Sequence, residues 1–386
     1  MLCVMSRRLA PVVVALVAAC AFGLAVAAPS QALVVGLADQ QPATFADPKF
    51  RALPIHYARL SVPWDGMDYR WQRQEFDEWM RTTHAASLKV IVTFGRSRVR
   101  PFSLPQVDEY RGKVRAFMRR YPSVHEYSPW NEPNLAIHPR NYDPHRIAAY
   151  YRTLRTLCAK CTLLGADVVD NSKLAFWMRL YLRIFKPGKA PKIWGLHNYG
   201  DVNSTSRWGT ETMLRLAPGQ IWFTETGAII SRRKPSSSSP PDRRKLIRTG
   251  AARAAAAMTR VFTLAATSPR ISRVYIYHWR AGGRTSWDSG LLSASGTPRP
   301  SFDVFAHQAR LAAGEPDPGP APAPAPAPPA GEHPVPPPPP LAPESHTPLT
   351  GLWLRCLLRP HDPVCAATPG LHFATLLAGI VATHGG

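Results

Sequence analysis

Two short runs carry the residue types that acid–base chemistry requires. Residues 125–134 read HEYSPWNEPN, and residues 220–226 read QIWFTET, with Gly227 following. Each starts as an apolar, aromatic stretch that needs a core, and each ends in a carboxylate, Glu132 in the first and Glu225 in the second. Pro133 stops further ladder pairing, because proline has no amide hydrogen to give. Asn131 sets an amide side chain directly beside Glu132. Taken singly, these are an ordinary turn and a strand closed by glycine. As a pair they could do more. Two carboxyl groups facing each other across a cleft can break a glycosidic bond: one, protonated, releases the leaving oxygen, and the other, ionised, attacks the anomeric carbon. The two glutamates lie 93 residues apart in the chain, so a fold has to bring them together.

The pattern around them supplies such a fold. Eight short apolar runs occur at 32–39, 57–64, 88–95, 125–132, 162–169, 192–199, 220–226 and 273–279. Most lack clean alternation, as expected of strands covered on both faces. Between them lie helical patterns with apolar residues three and four apart, at 70–86, 106–118, 144–157, 173–185, 206–216, 242–267 and 300–313. A shorter helical turn is expected around 47–53. Asp143 can cap the helix that Pro144 opens. Eight strands alternating with helices predict a (β/α)8 TIM barrel, a fold of about 250 residues. The alternative is an open doubly wound sheet, but no glycine-rich phosphate turn follows an early strand.

In such a barrel the working residues lie where strands end and loops begin. Strand two supplies Arg59 and Trp64, strand four Asn131 and Glu132, and strand six His197, Asn198 and Tyr199. Strand seven ends in Glu225, and strand eight in His278 and Trp279. Arg59 can hold a neighbouring carboxylate ionised, or serve an ion pair elsewhere. His197 and Tyr199 are site residues or filled core positions. Trp64, Trp279 and Trp287 offer flat faces for sugar rings, or packing. His197 and His278 form no metal set, since neither has a partner at ligand spacing, and no cofactor is expected.

WNEPN at 130–134 followed by FTETG at 223–227 resembles the retaining glycoside hydrolases of clan A, barrel enzymes with catalytic glutamates on strands four and seven. The resemblance covers residues 32–313 and is nearest to families 5, 39 and 128. It implies that Glu132 is the acid/base, that Asn131 holds the sugar 2-hydroxyl and that Glu225 is the nucleophile. It also implies substrate-binding roles for Arg59, His197, Tyr199 and Trp279. The compact loops depart from the larger members of the clan.

The remainder of the 386 residues sets the context. Residues 1–28 have the form of an export signal, with Arg7 and Arg8 ahead of an apolar stretch and Ala25-Val26-Ala27 as a cleavage site, so a secreted or cell-surface protein is expected. Val17-Ala18-Ala19-Cys20 also has the form of a lipoprotein box, but the apolar run continues past Cys20, which favours plain cleavage. The catalytic region is assigned to 29–314, a proline-rich disordered linker to 315–348 and a short tail of unassigned role to 349–386. Of 41 prolines, 16 fall between 316 and 348, a composition that gives a stiff spacer without a core. No run after the signal is long enough to span a bilayer.

Outside the signal four cysteines remain, an even number suited to an oxidising compartment, with Cys158–Cys161 and Cys356–Cys365 as disulfides. Cys158 and Cys161 end a helix rather than open one, which argues against a redox pair. The net charge of +22 is mostly scattered arginine, without a nucleic-acid motif, and reads as a solvated basic surface. The expected partner is a polysaccharide or oligosaccharide. The two other readings are a non-catalytic carbohydrate-binding barrel and a basic secreted protein that binds anionic polymers.

Overall fold

The computed structural model describes residues 32–135, 143–233, 246–248, 250–282 and 287–316. The export signal, Cys20, the proline-rich linker, Cys356, Cys365 and the tail all lie outside them. The strands are β1 Val34–Ala38, β2 Tyr57–Pro63, β3 Lys89–Gly95, β4 Glu126–Ser128, β5 Thr162–Leu163, β6 Asp167–Val169, β7 Ile193–His197, β8 Gln220–Thr226, β9 Ser231–Arg233, β10 Leu246–Arg248, β11 Ile271–Ile276 and β12 Trp287–Asp288. The helices are α1 Pro48–Arg51, α2 Arg70–Ala85, α3 Val107–Arg120, α4 Pro144–Leu157, α5 Leu174–Arg183, α6 Tyr199–Val202, α7 Trp208–Leu216, α8 Ala251–Ala265 and α9 Pro300–Ala312.

Nine strands form one parallel sheet in the order β5-β4-β3-β2-β1-β11-β8-β7-β6. The first strand pairs with the last of these in sequence, β11. An open doubly wound sheet has no such pairing. The two ends of the order, β5 and β6, are consecutive pieces of one expected strand, interrupted at Leu164, Gly165 and Ala166. β4 pairs with β5, and its continuation at Asn131 bridges to Asp167 in β6. The sheet thus curls until both ends meet the same strand.

Inside the curl the side chains change character with height. Near the strand starts, Arg273 of β11 donates to Glu126 of β4 at 2.7 Å, and its guanidinium lies 3.8 Å from the centre of the Trp222 ring. A small apolar cluster of Ala38, Ile91, Leu164, Trp222 and Tyr275 is also buried, with Tyr57, Ile193 and Tyr277 packed against it. Gly36 is needed beside it, because a Cβ there would meet the Tyr275 ring at 2.7 Å. Toward the strand ends the buried groups become polar: Arg59, Thr93, Asp167 and His197. The larger apolar cluster joins the opposite faces of the strands to the helices, with Phe76 and Trp79 of α2, Phe117 of α3, Tyr150 of α4 and Met258 of α8 all buried.

Helix caps follow the sequence. The Asp143 carboxylate accepts from the amides of His145 and Arg146, and Pro144 opens α4. The helix expected from 242 begins only at Ala251, because Gly250 has a φ of 82° and β10 precedes it. β10, β9 and β12 form a small antiparallel sheet that apolar periodicity did not reveal. Cys158 and Cys161 are joined in a disulfide at the end of α4, with a Cα–Cα distance of 5.4 Å. No helix among the described residues is long and apolar enough to cross a membrane.

Candidate active site

Each strand end brings a polar side chain to one opening, and local backbone features aim them. Glu132 stands just beyond β4 with a φ of 52°, a left-handed conformation uncommon for a residue with a side chain. Its amide donates to the Asp167 carbonyl at 2.8 Å, which fixes that turn. Glu225 owes its direction to irregular pairing. Along β7 and β8, Gly195 pairs with Trp222 while His197 pairs with Glu225, so β8 holds one residue more than β7 between these pairs. Such a bulge turns side chains that strict alternation would send to the other face. Gly195 leaves room for Asp167, since a Cβ at that position would stand 1.9 Å from a carboxylate oxygen.

Arg59 is the hub. Fully buried, it donates from Nη1 to Glu225 Oε2 at 2.8 Å, and from Nη2 to Asn131 Oδ1 at 2.6 Å and Asp167 Oδ2 at 3.0 Å. Nη2 also lies 3.3 Å from His197 Nε2. A guanidinium only donates, so Nε2 accepts in the neutral ring and the ring proton belongs on Nδ1, from which it reaches Glu132 Oε1 at 2.8 Å. Thr93 donates to Asp167. Tyr199 donates from its hydroxyl to Glu225 Oε1 at 3.2 Å. One oxygen of Glu132, one of Glu225 and a His197 nitrogen all lie within 4.8 Å of one another. That donor spacing would also admit a cation, although the hydrogen bonds to Arg59 and between His197 and Glu132 already occupy these groups.

The charges are coupled. Burial works to raise the Glu132 pKa, but the hydrogen bond from His197, with the charges of Arg59 and Arg96 beyond, brings it below the usual glutamate value. Burial works to lower the His197 pKa, while the Glu225 charge and the bond to Glu132 carry it above the usual histidine value against Arg59. The Tyr199 hydroxyl is pushed well up, first by burial and then by Glu225.

The residues expected at this face divide into two groups. Arg59, Asn131, Glu132, His197, Tyr199 and Glu225 are brought together. Trp64 and Trp279 require correction, for both are only 1% exposed and neither presents a ring face to the opening. Trp64 lies in the larger apolar cluster, under the Arg100 guanidinium at 4.8 Å. Trp279 packs edge-on against Phe50 and Phe302, and its indole donates to Asp47 at 3.0 Å. The chain leaves the sheet after Ile276, which carries Trp279 outward. Tyr277 remains behind, half-buried, and burial followed by the Glu225 charge raises its hydroxyl pKa. Trp287 of β12 meets Tyr199 edge-on at 5.0 Å.

Sequence reasoning missed Asp167 and Tyr277. The signal for Asp167 was a lone acid inside the apolar run 162–169, where only a buried cation could accommodate it.

No family model matches the chain, and no curated protein matches it. Solved structures do. A GH5_18 protein from Streptomyces cattleya in complex with GlcNAc is 14% identical over 76% of this chain and 83% of its own, with a TM-score of 0.53. Native xylanase 10B from Thermotoga maritima is 9% identical over 73% of this chain and 96% of its own, with a TM-score of 0.52. A family 39 glycoside hydrolase from Bacteroides cellulosilyticus WH2 is 15% identical over 73% of this chain, with a TM-score of 0.49; the chain spans 64% of that protein, just under two thirds. At such identities the likeness is one of fold, and the fold is similar to those of glycoside hydrolases.

Proposed function

We propose that the chain is a secreted retaining glycoside hydrolase, a (β/α)8 barrel that acts as an endo-β-glycanase on a polysaccharide. The observation that carries this reading is the placement of Glu132 and Glu225, with an oxygen of each within 4.8 Å of the other, at the ends of strands on opposite sides of a curled sheet. Retaining enzymes hold their carboxyl groups ~5–5.5 Å apart, and inverting enzymes ~6.5–9.5 Å. Glu225, held by Arg59 and Tyr199, attacks the anomeric carbon. The C–O bond to the leaving group breaks as Glu132 gives that oxygen its proton, and a glycosyl ester forms on Glu225. Glu132 then takes a proton from water, whose oxygen displaces Glu225 and releases the sugar. In this reading Asn131 meets the sugar 2-hydroxyl. The export reading of residues 1–28 supports secretion, and the proline-rich 315–348 segment supports a spacer beyond the catalytic region.

The experiment concerns the proton donor. In Glu132→Ala, kcat/KM for substrates with poor alkoxide leaving groups should fall about 10³-fold, within the usual range for general acid catalysis, while activated aryl glycosides lose about tenfold or less. Equal losses on both would remove the proton-donor role.

The pH profile gives a second expectation. His197 holds Glu132 in its ionised form, and Glu132 must be protonated to donate. In His197→Phe the Glu132 pKa therefore rises, and the basic limb of kcat/KM moves to higher pH. A limb that stays in place or moves down would contradict the hydrogen bond's role.

A further inference from the structure

The loop that leaves β3 reads Arg96-Ser97-Arg98-Val99-Arg100. Two of its three arginines are committed to protein acids. Arg98 pairs with Glu75, and Arg100 pairs with Asp65 at 3.4 Å and Glu109 at 3.6 Å while covering the Trp64 ring. Arg96 differs. Among the described residues it makes no hydrogen bond and no ion pair. It is exposed, and Glu132 is within electrostatic reach of its guanidinium. Its place explains both facts. Gly95 lies against Asn131, a Cβ there standing 3.3 Å from the asparagine Cβ, so the next residue leaves β3 next to the turn that holds Asn131 and Glu132.

The segment that leaves β3 also carries or meets exposed rings. Trp71, in the first turn of α2, is 42% exposed under the Arg98 guanidinium, and Phe102, six residues past Arg96, is 51% exposed. Flat apolar faces suit the hydrogens of a sugar ring, and an exposed guanidinium that bonds directly to no protein acid suits an anion. The net charge of +22 draws a polyanion toward the protein.

From this we infer that Arg96 forms an anion-binding subsite beside Glu132, and that the substrate glycan carries acidic sugars, with either a uronic carboxylate or a sulfate ester meeting the guanidinium. The inference rests on the glycosidase reading and names the substrate class for that same cleft.

The test uses binding, so that it stands apart from turnover. The full chain carrying Glu225→Gln is titrated at about 1 M salt, where a Debye length of ~3 Å screens the general attraction of the basic surface, with alginate and with hyaluronan, each beside its carboxyl-reduced form, and with κ-carrageenan beside its desulfated form. At least one acidic polymer should bind about tenfold more tightly than its neutral counterpart, the scale of one charge-assisted contact. Adding Arg96→Ala should bring that ratio to within twofold, and Arg96→Lys should keep most of it. The pair that shows the ratio tells carboxylate from sulfate. Equal binding within every pair, or a ratio that survives Arg96→Ala, overturns the subsite. Binding that follows Arg96 while the wild type cuts none of these polymers would leave the subsite in place and count against the hydrolase reading instead.

Discussion

Glu225→Ala is expected to lose glycan cleavage by a factor on the order of 10⁴ or more, the scale of removing a nucleophile that acts within a concerted set. The protein should remain folded, since Glu225 is 17% exposed and its loss leaves Arg59 paired with Asp167 at 3.0 Å. Azide added to this variant should restore turnover of activated aryl glycosides. The small anion enters the space left by the carboxylate and attacks the same face of the sugar, giving a glycosyl azide of inverted configuration. A general loss of structure cannot mimic that result. Wild-type turnover in Glu225→Ala, or azide rescue that yields a product of retained configuration, would remove Glu225 from the nucleophile position.

Arg59 carries the second large effect, because it serves both stability and chemistry. It and Asp167 are both 0% exposed. Arg59→Met leaves the Asp167 carboxylate buried without its ion pair, a change of about 3–5 kcal/mol in systems of this kind. Thermal denaturation should show Tm lower by about 10 °C, taking a few degrees per kcal/mol for a domain of this size. Turnover should fall at least ~10²-fold in whatever protein stays folded, since Glu225 loses the donor that orients it. The double variant Arg59→Met with Asp167→Leu separates the two effects. Replacing both partners by apolar groups should recover more than half of the lost Tm and none of the lost turnover. Recovery of both would reduce Arg59 to a structural role.

Much of this arrangement could be read from the sequence, and the reasons are local. The apolar runs at 57–64, 88–95 and 220–226 became β2, β3 and β8 almost residue for residue, because strands covered on both faces admit few polar residues. Asp143-Pro144 marked the start of α4 through capping chemistry that depends on nothing distant. Glu132 and Glu225 stood out because a carboxylate that ends an apolar run has few structural uses.

What was hidden depended on register. Alternation from Trp222 would turn Thr224 inward and Glu225 outward, and only the extra residue in β8 reverses this. The same alternation argued against Trp64: it is five residues from Arg59, so along one strand the two point to opposite faces. Trp279 was misplaced because the sequence does not show where β11 ends, and the chain turns away after Ile276. Asp167 escaped notice because its partner, Arg59, is 108 residues distant.

The most direct measurement follows the anomeric configuration of the sugar released by the wild-type protein, by NMR during the first minutes of cleavage, across β-glucans, xylan, mannan and acidic polysaccharides. Two displacements at one carbon return the original configuration, so the first product should be the β-anomer, with the α-anomer growing in only by later mutarotation. An α-anomer as first product would mean a single displacement by water, and the close approach of Glu132 and Glu225 would then have another purpose.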